Sequence, residues 1–134
     1  MSFQWSEDIS VNVRRFDYQH QKLLELFDQI GEQISHCSEF SDFDYLFEEL
    51  REYANYHFQS EEKVLKDANY PHIGKQIIHH NNFLKKIDEF RGKFACDKDF
   101  IGDDVKIFLR NWFYHHVKTV DKQYGDFLNA LDIF

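Results

Sequence analysis

Residues 54–65, ANYHFQSEEKVL, form a stretch in which two ionisable side chains share a helical face with apolar ones. Because an α-helix has about 3.6 residues per turn, His57 and Glu61 lie one turn apart on the stripe that also carries Ala54 and Leu65. A buried carboxylate is costly unless a cation or hydrogen-bond donors compensate it. The stretch therefore predicts a core helix that brings a polar site into an apolar interior.

Three other segments of the chain show the same helical periodicity. The chain has only one proline and five glycines, which favours long helices, and the proline, Pro71, suits the first position of the third helix. Short connections make consecutive helices antiparallel neighbours. The sequence therefore predicts an all-α fold: an antiparallel up-down-up-down four-helix bundle in one domain, residues 1–134, with an N-terminal arm at 1–16 and a short final helical segment from Asp121 to Leu131. The four predicted helices cover about residues 17–37, 42–66, 71–95 and 103–118.

Composition and charge exclude several classes of partner. The formal net charge of −8 argues against a nucleic-acid surface, which needs clustered Lys and Arg. The chain has no basic amphipathic helix and no run of about 20 apolar residues, so no membrane association is expected. Two isolated cysteines, Cys37 and Cys96, indicate reduced thiols in a cytoplasmic protein.

Each predicted helix carries a histidine on its apolar stripe. One such histidine is more often an ordinary core residue, and one His-x-x-x-Glu pair is a common accident in charged helices. Four coincidences on four helices instead favour convergence at one depth of the bundle, where imidazole and carboxylate suit iron, and also zinc, manganese or cobalt. The polar residues on these stripes are His20, His57, Glu61, Gln76, His80 and His116.

The remaining histidines, His36, His72, His79 and His115, lie near helix ends or off the stripes and are expected to be solvated or to lie outside the ligand layer. The pattern argues against a ferritin-like carboxylate site, because such sites use Glu-x-x-His on two helices and no glutamate here has a histidine three residues later.

Taken in order, these fragments resemble the bacterial hemerythrins over nearly the whole chain. Each fragment is weak alone, but the order and the spacings together are specific. The matching pieces are Trp5 with Val11 and Val13, Asp17-Tyr-Gln-His20, His57-Phe-Gln-Ser-Glu61-Glu62, Tyr70-Pro71, His80-x-x-Phe83, and Trp112-Phe-x-x-His116-Val-x-x-x-Asp121.

The resemblance implies two non-heme iron ions bridged by carboxylates and by an oxo or hydroxo group. It assigns His20 and His57 to the first iron, where O2 binds in the family. It assigns His80 and His116 to the second iron, and Glu61 and Asp121 to both as bridges. Asp121 falls just past the helix that carries His116, where a loop is expected to turn the carboxylate inward.

One position departs from the family pattern. The third helix of the family supplies two histidines four residues apart, and the first of them is Gln76 here. Gln76 is then a weak ligand through its amide oxygen, or it leaves an open position to water, or the second metal is lost. A local π-bulge that brings His79 or His72 to the metal is a further alternative.

The leading functional hypothesis is reversible O2 binding for storage, delivery or sensing, by an oxygen-binding protein rather than an enzyme, as a monomer or weak oligomer. Apolar walls would exclude bulk water from the bound ligand. The alternatives are a diiron protein with an altered second iron site that reacts with peroxide or nitric oxide, a mononuclear metal-binding variant, an iron store and a metal-free scaffold. The residues expected to line the O2 pocket are Leu24, Phe27, Leu50, Phe83 and Trp112.

Overall fold

Four long helices build the protein. A computed structural model describes residues 4–35, 40–96 and 98–134, and this part of the chain contains helices and no strand. The first helix packs on the second and fourth, and the third packs on the same two, which closes a bundle. The predicted all-α four-helix bundle is confirmed. Its elements are a 3-10 turn at Glu7–Ile9, α1 at Arg14–Ser35, α2 at Phe40–Asp67, α3 at Ile73–Cys96, α4 at Lys98–His116, a π-helical turn at Val117–Asp121 and α5 at Lys122–Ala130.

None of the helices in the described ranges is both long and apolar enough to cross a membrane. Cys37 and His36, which were predicted to lie near the end of the first helix, fall outside the described residues.

The N-terminal arm is fastened to the start of α1 through Asp17. Its carboxylate accepts hydrogen bonds from the backbone N–H of Val11 at 2.8 Å and from the hydroxyl of Ser10 at 2.6 Å. The helix was predicted to begin at residue 17, but α1 begins at Arg14, because Asp17 lies in the first helical turn and reaches back to the arm. The arm is therefore shorter than the predicted 1–16, and its buried Val11 belongs to the core.

The third helix starts two residues later than predicted. Pro71 was expected to be its first residue, whereas α3 begins at Ile73. The reason is that the carbonyl of His72 accepts the first hydrogen bonds of the helix, at 3.1 Å from the N–H of Lys75 and 3.3 Å from that of Gln76. Pro71 lies in the turn before this point.

The fourth helix extends beyond its predicted range of 103–118 at its start. It begins at Lys98, inside the predicted connection, because an isolated helical glycine such as Gly102 costs only about 1 kcal/mol. At its other end, the helical backbone continues without a loop through the π-helical turn and α5 to Ala130. The predicted final segment is thus an extension of α4.

Aromatic rings dominate the bundle interior. The largest fully buried side chains are Tyr124, Phe16, Phe27, Phe47, Phe83 and Phe113. Polar side chains are buried among these rings, and most of them come from the positions that the sequence analysis singled out. The buried polar residues that face one another inside the bundle are His20, His57, Glu61, Gln76, His80, His116 and Asp121.

Candidate metal centre

Six buried polar side chains form two groups of three. The structure brings together all six residues that were predicted to bind metal, and each residue is at most 2% exposed. In each group, one nitrogen or carboxylate oxygen from every member lies within 4.8 Å of the others. The first group is His20 on α1 with His57 and Glu61 on α2, and the second is His80 on α3, His116 on α4 and Asp121 in the π-helical turn.

Glu61 contacts imidazoles of both groups. Its Oε1 lies 3.1 Å from His57 Nε2 and 3.2 Å from His80 Nε2. Its Oε2 accepts a hydrogen bond from the hydroxyl of Tyr124, which reaches into the centre from α5. One carboxylate thus lies between an imidazole of the first group and one of the second.

Asp121 makes the same kind of link from the opposite side. Its Oδ2 lies 3.2 Å from His20 Nε2, and its Oδ1 lies 3.0 Å from His116 Nε2. Because each carboxylate reaches both groups, two cations held by the two groups would share both carboxylates. This sharing of the carboxylates follows from the positions of the six side chains alone.

A π-helical turn, and not the expected loop, directs Asp121 inward. In an α-helix, residues five apart lie about 140° apart around the axis, so Asp121 would point away from His116. The π-helical turn widens the helix by using i→i+5 hydrogen bonds, as in the bond from the Lys122 N–H to the Val117 carbonyl. His116 and Asp121 consequently face the same interior point. The expectation of a loop was wrong, because no residue in this segment breaks the helix.

Three of the four imidazoles have a partner on the ring nitrogen that faces away from the centre. Such partners fix the tautomer and orientation of a metal-binding imidazole and leave its Nε2 free for a cation. The fourth imidazole is that of His20, whose Nδ1 has no hydrogen-bond partner in the described part of the chain. The pairs are His57 Nδ1 with Gln19 Oε1 at 2.6 Å, His80 Nδ1 with Glu62 Oε2 at 2.7 Å, and His116 Nδ1 with His79 Nδ1 at 3.4 Å.

Gln76 is buried beside the second group, 1% exposed, one helical turn before His80. Its Nε2 donates a hydrogen bond of 3.0 Å to Asp121 Oδ1. Its Oε1 is also buried and has no hydrogen-bond partner among the described residues. Because α3 is α-helical throughout Ile73–Cys96, the suggested π-bulge that would bring His72 or His79 into the ligand layer is not present.

Aromatic rings enclose the imidazoles. Phe58 stacks on His80 with ring centroids 4.0 Å apart. Trp112 stacks on His116 with centroids 4.4 Å apart and planes at 13°. These rings exclude water from the centre and restrict the rotation of the two imidazoles.

Of the residues expected to line an O2 pocket, one contacts a ligand candidate and the others pack behind such contacts or elsewhere in the core. Trp112 contacts a ligand candidate directly, and Phe83 packs behind Trp112 with ring centroids 4.4 Å apart. Phe27 packs against Phe113, whose edge faces His20 at 5.7 Å. The remaining two expected residues, Leu24 and Leu50, are buried in the same core.

Burial and charge act in opposite directions on the ionisable groups of the centre. Burial disfavours the charged form of His20, but the close carboxylates of Asp121, at 3.2 Å, and Glu61, at 3.6 Å, outweigh this and raise its pKa to about 10. The pKa of His80 is likewise raised, to about 9, by Glu61 and Glu62 against the effect of burial. Burial also disfavours ionised Glu61 and Asp121, yet the neighbouring imidazoles hold both pKa values below the ordinary range.

The two carboxylates are therefore ionised and demand positive charge. In the metal-free chain, protonated imidazoles supply it. A divalent cation is an equivalent source, and its binding would release the imidazole protons, since only neutral imidazole ligates a metal. By contrast, burial lowers the pKa of His57, which keeps this ring neutral.

Two observations on these contacts fit a bound metal. Several buried polar atoms lack a hydrogen-bond partner in the described part of the chain, namely His20 Nε2, Glu61 Oε1, His80 Nε2, His116 Nε2 and Asp121 Oδ2. In addition, two donor atoms at right angles around one first-row metal ion, each about 2.1 Å from it, lie about 3 Å apart. The nitrogen–oxygen distances of 3.0–3.2 Å between four of these imidazole–carboxylate pairs match that spacing.

Three side chains at the centre were not singled out from the sequence. Tyr124 comes three residues after Asp121, so helical spacing alone could have placed it on the same face. Gln19 and Glu62 each adjoin a ligand candidate along the chain, Gln19 next to His20 and Glu62 next to Glu61. Their partners, however, lie on other helices, and no periodic signal identifies such pairs.

The fold and these two groups define a helical-bundle domain built to hold cations between its helices. The Hemerythrin HHE cation binding domain family matches residues 11–128. The chain belongs to this family, and its predicted resemblance to the bacterial hemerythrins is confirmed.

Individual relatives agree with this assignment. Bacteriohemerythrin of Stenotrophomonas maltophilia (strain R551-3) is 27% identical over 131 residues, which covers 94% of this chain and 81% of that protein. Bacteriohemerythrin of Clostridium acetobutylicum is 27% identical over 128 residues, covering 92% of this chain and 99% of that protein. The crystal structure of wild-type hemerythrin has the same fold, with a TM-score of 0.84 at 22% identity over 92% of this chain and 95% of that chain.

Proposed function

We propose that this chain holds two non-heme iron ions between its helices and binds O2 reversibly at them, for storage, delivery or sensing. His20 and His57 would hold the first iron and His80 and His116 the second, with two shared carboxylates. The observation that carries the proposal is that Glu61 and Asp121 each reach imidazoles of both groups. When bound, the iron pair supplies the electrons and the coordination position for O2, and the family resemblance assigns that position to the first iron.

The chain's own contribution to this function is to hold and shield the ligands. Gln19 and Glu62 orient His57 and His80 from outside, so that each presents Nε2 to the centre. Phe58 and the neighbouring rings exclude water, which limits proton leakage and loss of the bound ligand. Relatives named bacteriohemerythrin and hemerythrin support iron as the metal.

A second candidate function rests on Gln76. An amide is a weaker donor than the imidazole that the family places here, so the second iron would be less well held. The protein would then react with peroxide or nitric oxide, or would bind a single metal ion. If this alternative holds, a Gln76→His variant oxidises in air more slowly than the parent; equal rates of oxidation would rule it out.

The proposed setting is the cytoplasm, where the two cysteines would stay reduced, with the protein as a monomer or weak oligomer. Size-exclusion chromatography with light scattering, on iron-loaded protein, tests the oligomeric state. A stable high-order oligomer with many irons per chain would instead favour an iron store.

The first experiment is to measure metal per folded chain by plasma mass spectrometry after expression with added iron. We expect about two irons for the parent and for the control variant His72→Ala, whose side chain is exposed. We expect a loss of iron for His57→Ala. About one iron in the parent would replace the two-iron function by the mononuclear alternative, and an unchanged iron content in His57→Ala would indicate a scaffold.

Oxygen binding is then tested on the reduced, iron-loaded protein. Exposure to air should produce a visible absorption band with uptake of one O2 per two irons, and flushing with argon should reverse both. Irreversible bleaching, with consumption of more than one O2 per two irons, would overturn reversible O2 binding.

A further inference from the structure

We propose that Gln76 and His79 do not bind metal but orient Asp121 and His116, so that the second metal position keeps an open site for a small exogenous ligand. This inference rests on the proposed two-iron function and concerns the second position of the same centre. The ligand class is a small anion or a diatomic molecule that ligates a metal through one end.

The Gln76 amide is oriented with its NH2 group toward Asp121. The Nε2 of Gln76, which is the donating NH2 group, lies 3.0 Å from Asp121 Oδ1, which accepts the hydrogen bond. An amide ligates a metal through its oxygen, whereas the Gln76 atom that contacts Asp121 is the nitrogen of its NH2 group. While this hydrogen bond persists, it fixes the Gln76 amide on the carboxylate of Asp121, and we assign Gln76 the role of orienting that carboxylate.

His79 acts on His116 in a similar way. The two rings meet at their Nδ1 atoms, 3.4 Å apart, while Nε2 of His116 faces the centre. With Nε2 on a metal, His116 carries its proton on Nδ1 and donates it in a hydrogen bond to His79. Trp112 stacks on the face of the same ring, so His116 is fixed both at its edge and on its face.

The two residues lie three apart on α3 and both act on the segment His116 to Asp121. As a result, α3 contributes only one imidazole ligand, His80, to the second position. Each metal position then has two imidazoles and shares two carboxylates, so the two positions are equivalent in protein ligands. A metal position with fewer protein ligands than its coordination number keeps a place for an exogenous ligand, and here both positions have one.

Azide titration of the iron-loaded, oxidised protein tests the open site. The number of azide ions bound per two irons is read from the visible absorption and from equilibrium dialysis. We expect two azide ions for the parent and one for Gln76→His, in which the imidazole fills the second position. One azide ion in both proteins, each with two irons, would overturn this inference and leave the two-iron function standing.

The iron content shows whether this inference fails alone or the two-iron function fails with it. About one iron per chain in the parent and two in Gln76→His would overturn the two-iron function itself, and this inference with it. Iron content is measured on the same samples before azide is added, so the two outcomes cannot be confused.

The orienting role of His79 is tested by the release of iron to a chelator. In His79→Ala we expect one of the two irons to leave about 10–100-fold faster than in the parent. His79→Asn should restore slow release, because its side-chain oxygen can accept the hydrogen bond from His116 in place of Nδ1. His115→Ala, an exposed neighbour of His116, is the matched control and should release iron like the parent. Equal release from His79→Ala and His115→Ala, or no rescue by His79→Asn, would overturn the role of His79.

Discussion

Removal of a single oxygen atom from the centre, by Tyr124→Phe, tests whether the buried carboxylates govern both stability and metal affinity. Tyr124 is fully buried, and its hydroxyl donates to Glu61 Oε2. Burial and the nearby Glu61 raise the pKa of this phenol well above its ordinary value, so it remains a donor. A hydrogen bond to a charged group contributes about 1.5–3 kcal/mol, and the metal-free variant should lose that much stability.

In the iron-loaded protein the loss should be smaller. A metal also neutralises Glu61, so the missing bond should cost only about 0.5–1.5 kcal/mol, as for a neutral pair. By thermodynamic linkage, a difference of about 1 kcal/mol between the two forms means that Tyr124→Phe binds metal about fivefold more tightly than the parent. The variant is therefore expected to be less stable and yet to hold metal better.

Urea unfolding followed by far-ultraviolet circular dichroism, with chelator and with iron, measures both quantities. In thermal unfolding of the metal-free form, the melting temperature should fall by about 5–11 °C. Tyr56→Phe, at a tyrosine that is 55% exposed, is the control and should change stability by less than about 0.5 kcal/mol. The reasoning is refuted if Tyr124→Phe behaves like this control, or if its loss is equal with and without metal.

Three further substitutions test contacts elsewhere in the bundle, and the free energy of unfolding in urea measures each of them. Gly125→Ala should lower the free energy of unfolding by about 1–3 kcal/mol, because a Cβ there would lie 2.3 Å from the Val11 carbonyl oxygen. Its control, Gly92→Ala, has open space around the added Cβ and should be neutral or stabilising. Equal effects of the two substitutions would refute the clash at Gly125. Asp17→Ala should cost about 1 kcal/mol by releasing the N-terminal arm, and an unchanged midpoint would contradict that. Arg91→Ala should cost less than about 1 kcal/mol, since its ion pairs are partly solvated, and a larger loss would show that they are structural.

Helical periodicity explains how much of the centre could be predicted from sequence. A polar residue on an apolar stripe must face the core, so His20, His57, Glu61, His80 and His116 could be placed inside the bundle without coordinates. The same rule places Gln76 there. That these side chains meet at one depth follows from the lengths of the helices and their short connections.

Contacts between helices could not be predicted in this way. Periodicity gives the face of a residue but not its partner on another helix, so the pairs of Gln19 with His57 and of Tyr124 with Glu61 carry no local signal. The position of His79 shows the same limit. It lies off the centre of its stripe, and only the packing of α3 on α4 brings its ring to His116.

The inward position of Asp121 depends on the π-helical turn, and one deletion tests this directly. Removing the exposed residue Lys118 leaves His116 and the aspartate four residues apart, which in an ordinary α-helix is about 40° around the axis. Iron content and helicity should therefore be largely retained. Deletion of the exposed Gln59 in α2, which has no π-helical turn to absorb it, should shift Glu61 off its face and abolish iron binding. If both deletions abolish iron binding equally, the π-helical turn is not what places the carboxylate.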